Sequence, residues 1–291
     1  MSLQHQAEAE IQAEIQTGDS TAPPRQQASS GLPPKAEIDV KHVILVLSGK
    51  GGVGKSTVAV NLATALASHG RAVGLLDLDF HGPSIPKMLG LEDRTPTVSG
   101  QKMEPIHVTG SLAVMSMGFL LSAPDAPVIW RGPVKMGVIR QFLTEVNWGP
   151  LDYLVVDLPP GTGDEALTIA QLAPNLRGAI IVTTPQDVAV LDAVKALKFI
   201  EQLEIPVLGI IENMSGLVCP HCGESVDLFG RGGGERAAQD FGVPYLGAIP
   251  LDPEMMKAGD EGRPFILQHS RSPTWNVVDK VMENLVAMVE S

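Results

Sequence analysis

The run Gly49-Lys50-Gly51-Gly52-Val53-Gly54-Lys55-Ser56-Thr57 has the residue types and spacing to hold a polyphosphate. It fits the pattern G-x-x-x-x-G-K-[ST], and it stands between an expected strand and an expected helix, the context that makes the pattern a site. Its glycines allow backbone conformations that aim several N–H groups at one anion, and the following helix adds its positive end. Lys55 is placed to reach the β- and γ-phosphates of ATP, and the Ser56 hydroxyl to ligate Mg²⁺. A glycine-rich turn that binds nothing is the competing reading, and the flanking strand and helix argue against it.

Two acidic segments accompany the loop. In Leu76-Asp77-Leu78-Asp79-Phe80-His81-Gly82-Pro83-Ser84, carboxylates arrive at the end of the next strand. Asp79 is the candidate there for orienting an attacking water or holding Mg²⁺ through water, against the plainer role of capping a turn. In Val155-Val156-Asp157-Leu158-Pro159-Pro160-Gly161-Thr162-Gly163-Asp164, an apolar strand ends in Asp157, the position from which a second aspartate serves Mg²⁺ in such sites. Gly161 and Gly163 leave the loop after it free to change conformation.

Cys219 and Cys222 are the only cysteines, too close and too few for a secreted disulfide framework. A Cys-x-x-Cys pair supplies two thiolates, whereas a 4Fe-4S cluster or a structural zinc takes four ligands. A two-fold axis through the pair would bring two copies together and complete the set. Zinc at the same thiolates, a redox pair and two packed thiols are the alternatives. The redox reading is disfavoured because the motif follows an expected loop, residues 213–218, rather than opening a helix directly after a strand. His221, between the cysteines, reads as a solvated loop residue.

These groups need a scaffold. Short apolar runs alternate with helical stretches, the signature of βαβ units around a parallel sheet. Strands are predicted over 43–47, 72–76, 112–115, 153–156, 179–182, 207–211 and 245–249. Helices are predicted over 55–68, 134–146, 165–172, 188–202, 233–241 and 273–289. The expected fold is α/β, a doubly wound, mostly parallel sheet of about seven strands with helices on both faces. Residues 1–38 are rich in Gln, Ala, Ser, Pro and Glu and are expected to form a disordered tail. Residues 39–291 would form the nucleotide-binding domain, with a metal loop at 213–230.

The segment Lys50-Gly51-Gly52-Val53-Gly54-Lys55-Ser56 resembles the deviant Walker A motif of the MinD, ParA and nitrogenase iron-protein superfamily. By that resemblance Lys50 reaches across a homodimer interface to the partner's nucleotide, joining Lys55, Asp79 and Asp157 in catalysis. With Asp77 to Ser84, Asp157 to Asp164, Glu212-Asn213-Met214-Ser215 and Cys219-Pro220-His221-Cys222-Gly223, the chain resembles the Mrp/ApbC branch of iron–sulfur cluster carriers from about Val43 to near its end. That branch implies a P-loop ATPase, slow in turnover, that holds a 4Fe-4S cluster between two subunits and passes it to apoproteins. It also implies that Asn213 reads the adenine edge. No cysteine precedes Cys219, so a second cluster site toward the N-terminus is not expected.

Composition limits the rivals. The 33 acidic against 21 basic residues, net charge −12, argue against a sequence-independent grip on nucleic acid. No window approaches a membrane span and no signal peptide is evident, so a cytoplasmic protein with no membrane partner is expected. A positioning switch of the MinD or ParA kind would need a basic face on the last helix, where Lys280 instead stands among Asp279, Glu283 and Glu290. A packed terminal helix is the better reading. Electron transfer of the nitrogenase iron-protein kind is disfavoured because that relative draws its cysteines from well-separated segments.

Overall fold

The computed structural model describes residues 34–120, 132–219, 222, 224–269 and 272–291. Most of the expected tail and His221 lie outside these residues. In chain order the strands are β1 (Val40–Leu47), β2 (Val73–Asp77), β3 (Thr97–Ser99), β4 (Lys102–Glu104), β5 (Ile106–Thr109), β6 (Leu112–Ser116), β7 (Leu151–Asp157), β8 (Leu176–Thr183), β9 (Val207–Val218), β10 (Ser225–Val226) and β11 (Tyr245–Leu251). The helices are α1 (Lys55–Ser68), α2 (Ile85–Met88), α3 (Gly132–Thr144), α4 (Asp164–Leu172), α5 (Asp187–Gln202), α6 (Gly233–Phe241), α7 (Pro253–Asp260), α8 (Phe265–Gln268) and α9 (Pro273–Val289).

Among the described residues one nine-stranded sheet runs β10-β9-β8-β1-β7-β2-β6-β5, with β11 also paired to β9. All pairings are parallel except β5 with β6 and β10 with β9. The central strand β1 is apolar on both faces, as a parallel strand between two helical layers must be. Ile44 and Val46 point into a core shared with α1 and α9, while Val43, Leu45 and Leu47 point into one shared with α3, α4 and α5. The period-2 alternation of side chains thus divides one strand between two cores.

The expected strands and helices are all present, and the differences lie at the margins. β5, β10 and the β3–β4 hairpin are additional, as are the short helices α2, α7 and α8. The segment 213–218, expected as a loop, continues β9. Asn213 pairs with Ile249 and Leu217 with Leu251 on one side, and Leu217 and Val218 pair with β10 on the other. Positive φ angles at Met214 and Gly216 kink the strand without ending it. The tail boundary at residue 38 is also too late. The Lys35 ammonium donates to the Ala170 carbonyl at 2.7 Å, the Ala36 amide donates to Leu172 at 2.7 Å, and Ala36 is buried. Ala36 and Ile38 carry enough apolar surface to extend the core one step ahead of β1.

The last helix is a core element. Val278, Met282, Leu285 and Val289 are buried, Ser272 Oγ caps it by accepting from the Trp275 amide, and Pro273 occupies its first turn. The Tyr153 hydroxyl donates to Glu290 at 2.7 Å, tying the end of α9 to β7. No helix among the described residues is long and apolar enough to cross a membrane.

Candidate functional site

The carboxyl ends of β1, β2 and β7 deliver Ser48, Asp77 and Asp157 to one edge of the sheet, where ligands of doubly wound folds bind, and Asn213, midway along β9, reaches the same cleft. The loop from Gly49 to Gly54 leaves β1 at this edge and turns directly into α1. Gly52 and Gly54 both hold φ +79°, a conformation costly to any residue with a Cβ. At Gly54 a Cβ would also overlap Asn213 Nδ2, so the loop and β9 approach as closely as they do only because this residue is glycine.

Three predicted residues converge at the start of α1. Lys55 Nζ donates to Asp157 Oδ1 at 2.6 Å, and Ser56 Oγ donates to Asp157 Oδ2 at 2.6 Å. Lys55 is 6 % exposed and Asp157 fully buried. Burial raises the Asp157 pKa, and the Lys55 charge and hydrogen bonds oppose the rise. The pair holds a primary ammonium and a hydroxyl ready at the mouth of the loop, where a phosphate and its metal would take them over. Asp157 is register partner to Asp77 on β2, which is also fully buried. Burial, then the Asp157 charge, push Asp77 up to about 7, although Ser116 Oγ donates to it at 2.8 Å and the Asp79 amide at 3.0 Å.

Asp79 lines the same cleft, and its Oδ1 accepts from the His81 and Gly82 amides, both at 3.1 Å. It therefore shapes the turn after β2 with one oxygen. Lys50 stands apart. Its carbonyl accepts from Ser48 Oγ at 2.9 Å, but the residue does not line the cleft and its ammonium forms no ion pair among the described residues. Val53 turns its side chain into the core while its carbonyl accepts from Asn213 Nδ2 at 2.9 Å.

The cleft has a volume of about 440 Å³ and two chemically different walls. Gly51, Gly52, Gly54, Lys55, Ser56 and Thr57 form the polar one. Met88, Met214, Leu251, Met255 and Met256, with Pro250 and Asp252, form the other, an apolar wall suited to a flat heterocycle. Sequence reasoning missed this second wall. Its signal was present in Asp252-Pro253, an N-cap followed by proline at the first helical position, which marks α7, and Asp252 does accept from the Glu254 amide at 2.9 Å.

Residues 39–286 match the family described as the ParA-type NUBPL iron-transfer P-loop NTPase. The chain belongs to that family. It is 53 % identical over 251 residues to the iron-sulfur cluster carrier protein of Methanocaldococcus jannaschii, covering 86 % of each chain. It is 49 % identical to the human cytosolic Fe-S cluster assembly factor NUBP2, covering 85 % of this chain and 93 % of that one. Among solved structures it is similar to the nucleotide-binding protein from Archaeoglobus fulgidus in complex with ADP, at 42 % identity and a TM-score of 0.69, covering 82 % of this chain and 91 % of that one. The NTPase assignment accounts for the phosphate loop, and the iron-transfer description directs attention to the cysteines.

Cys219 follows β9 directly and is partly buried, and Cys222 is exposed. The Cys219 amide donates to the Glu224 carbonyl at 2.9 Å. Asn213 and Met214 on the same strand line the nucleotide cleft. One strand therefore touches the phosphate loop with its middle and presents the cysteine pair at its end.

Proposed function

We propose that the protein is an ATP-dependent iron–sulfur cluster carrier that receives a 4Fe-4S cluster between two copies of the chain and delivers it to apoproteins in the cytoplasm. The observation that carries this reading is the path of β9 from the phosphate loop to Cys219. The relatives named as carriers support the cargo, and the ADP in the Archaeoglobus protein supports the ligand of the cleft.

The polar wall would seat the phosphates on the amides of residues 51–57, with Lys55 leaving Asp157 to meet the β- and γ-oxygens. Ser56 and Asp157 are the donors that fit Mg²⁺, a hydroxyl and a carboxylate already converged on one point; Mg²⁺ bound there would neutralise charge building on the phosphate oxygens. Asp79 has its second oxygen available to orient a water. Lys50, unengaged in its own protomer, would serve the partner's site, as a cation supplied in trans stabilises a developing negative charge.

The same face offers apolar surface for a second copy. Val188 and Leu191 at the start of α5 are 68 % and 59 % exposed, and Leu228 in the cysteine segment is 56 % exposed. Gly49 packs against the Asp192 carbonyl, and Gly233 against the Pro185 carbonyl, so α5 sits between the phosphate loop and the returning cysteine segment. Exposed apolar residues of this kind are what a homodimer would cover.

Anaerobic reconstitution with iron and sulfide tests the reading, comparing the wild type with the Cys219→Ala/Cys222→Ala variant. About four irons per dimer, absent from the variant and handed to an apo-acceptor, are expected. Zinc retained at the cysteines with no transferable cluster would replace the carrier by a zinc-bridged ATPase switch.

A further inference from the structure

Beyond Glu212 the chain runs along the rest of β9 to the cysteines and returns to the sheet's helical layer at Gly232, the N-cap of α6, and a single buried side chain bonds both sides of this excursion. Glu212 Oε1 accepts from the Gly232 amide at 2.9 Å and from Ser215 Oγ at 2.6 Å. Oε2 accepts from the Gly234 amide at 2.6 Å. The carboxylate is fully buried in the sheet, in register with Thr183 of β8 and Ala248 of β11. A buried anion is costly unless its oxygens are satisfied, and here the α6 N-terminus and one hydroxyl satisfy them. Gly234 packs within van der Waals reach of the Glu212 Cβ, leaving no slack between the strand and the helix.

The next residue, Asn213, is bonded through Nδ2 to the Val53 carbonyl and fills the space above Gly54. Rearrangement of Val53 and Gly54 on phosphate binding is therefore placed to move Asn213 through this bond, and with it the adjoining backbone at Glu212. We propose that Glu212 is the positioning residue that converts this movement into a change at Cys219 and Cys222. Because its carboxylate bonds Ser215 farther along β9 and the N-terminus of α6 together, displacement of β9 at Glu212 is passed to the chain on both sides of the cysteines. This inference rests on the reading of the cleft as a nucleotide site. It does not depend on which metal the thiols hold.

Glu212→Gln keeps the size but turns an amide N–H₂ toward a backbone N–H, so one of the two grips is lost. Ser215→Ala removes one hydrogen-bond donor and leaves the carboxylate its two backbone partners. The experiment uses the full iron-free chain. Alkylation rates at Cys219 and Cys222 by iodoacetamide are read by peptide mass spectrometry with and without Mg-ATP, and ATP affinity is measured on the same samples. In the wild type, ATP is expected to change the thiol rates by about fivefold or more, the lower edge of ordinary coupling between sites. In Glu212→Gln, ATP affinity is retained while the ratio of rates falls to within about twofold of unity, with Ser215→Ala intermediate.

Bound ATP that leaves the wild-type rates unchanged overturns the proposal, as does a wild-type ratio in Glu212→Gln. If Glu212→Gln does not fold, a wild-type ratio in Ser215→Ala is sufficient to overturn it. ATP that fails to bind the wild type would instead overturn the nucleotide reading of the cleft. Failure of cluster transfer in a chain whose thiols respond as expected would overturn the carrier reading alone.

Discussion

Lys55 and Asp157 show how a site can be stable before its ligand arrives. A buried ammonium and a buried carboxylate 2.6 Å apart satisfy each other, and removing either leaves a charge stranded in the interior. Lys55→Ala is therefore expected to abolish nucleotide binding and also to destabilise the nucleotide-free protein by about 3–5 kcal/mol. Asp157→Asn in the same chain should restore most of that loss without restoring binding. Denaturant unfolding of the two single variants and the double variant measures the coupling as a thermodynamic cycle. Additive losses would mean that the pair contributes nothing as a pair. That Lys55, Ser56 and Asp157 converge was legible because a phosphate loop fixes its neighbours through local backbone geometry. Asn213 was less so. Resemblance gave it the adenine edge, whereas its amide nitrogen bonds the phosphate loop at Val53. Glu212 was not singled out, since nothing in a lone Glu announces that a helix N-terminus distant in sequence will close on it.

At the level of elements, hydrophobic pattern was a sound guide wherever strands are buried on both faces. β1, β2, β6, β7 and β8 are short apolar runs that have no stable arrangement except between helical layers. The second half of β9 was misread because Asn213-Met214-Ser215-Gly216 has the composition of a turn. Its strand conformation comes from β10 and β11, which supply hydrogen-bond partners from elsewhere in the chain. The phosphate loop makes the opposite case, in which a local requirement dominates. Gly54→Ala places a Cβ at φ +79° and against Asn213, so a stability loss of about 1–3 kcal/mol is expected together with loss of nucleotide binding. Gly51, without such a φ and with only Pro160 Cγ at 4.0 Å, should accept alanine with no change in melting. Calorimetric melting of both variants, with an ATP titration of Gly54→Ala, checks this. Wild-type affinity in Gly54→Ala would show that the left-handed turn is not needed to seat phosphate.

At the scale of the whole molecule, the two half-sites impose the same requirement. Two thiolates are half of a four-ligand set, and Lys50 is a cation in a phosphate loop that serves no phosphate in its own cleft. In the proposed homodimer one two-fold axis would complete both. The net charge of −12 opposes association at long range, so in the proposed dimer contacts made through bound nucleotide would help to offset it. Under that proposal Lys50 would make one, its ammonium meeting the partner's phosphates. Lys50→Ala should accordingly bind ATP as the wild type does, because the residue lies outside the cleft, yet fail to dimerise in response to it and hydrolyse it at least about tenfold more slowly, a change of about 1.4 kcal/mol in the barrier. Sedimentation velocity with a non-hydrolysable ATP analogue separates the two effects. A variant that dimerises and turns over normally would remove Lys50 from the interface and leave the cysteines as the sole reason for a two-fold axis. A variant that no longer binds ATP would instead place Lys50 in its own protomer's site, contrary to the geometry of the nucleotide-free cleft.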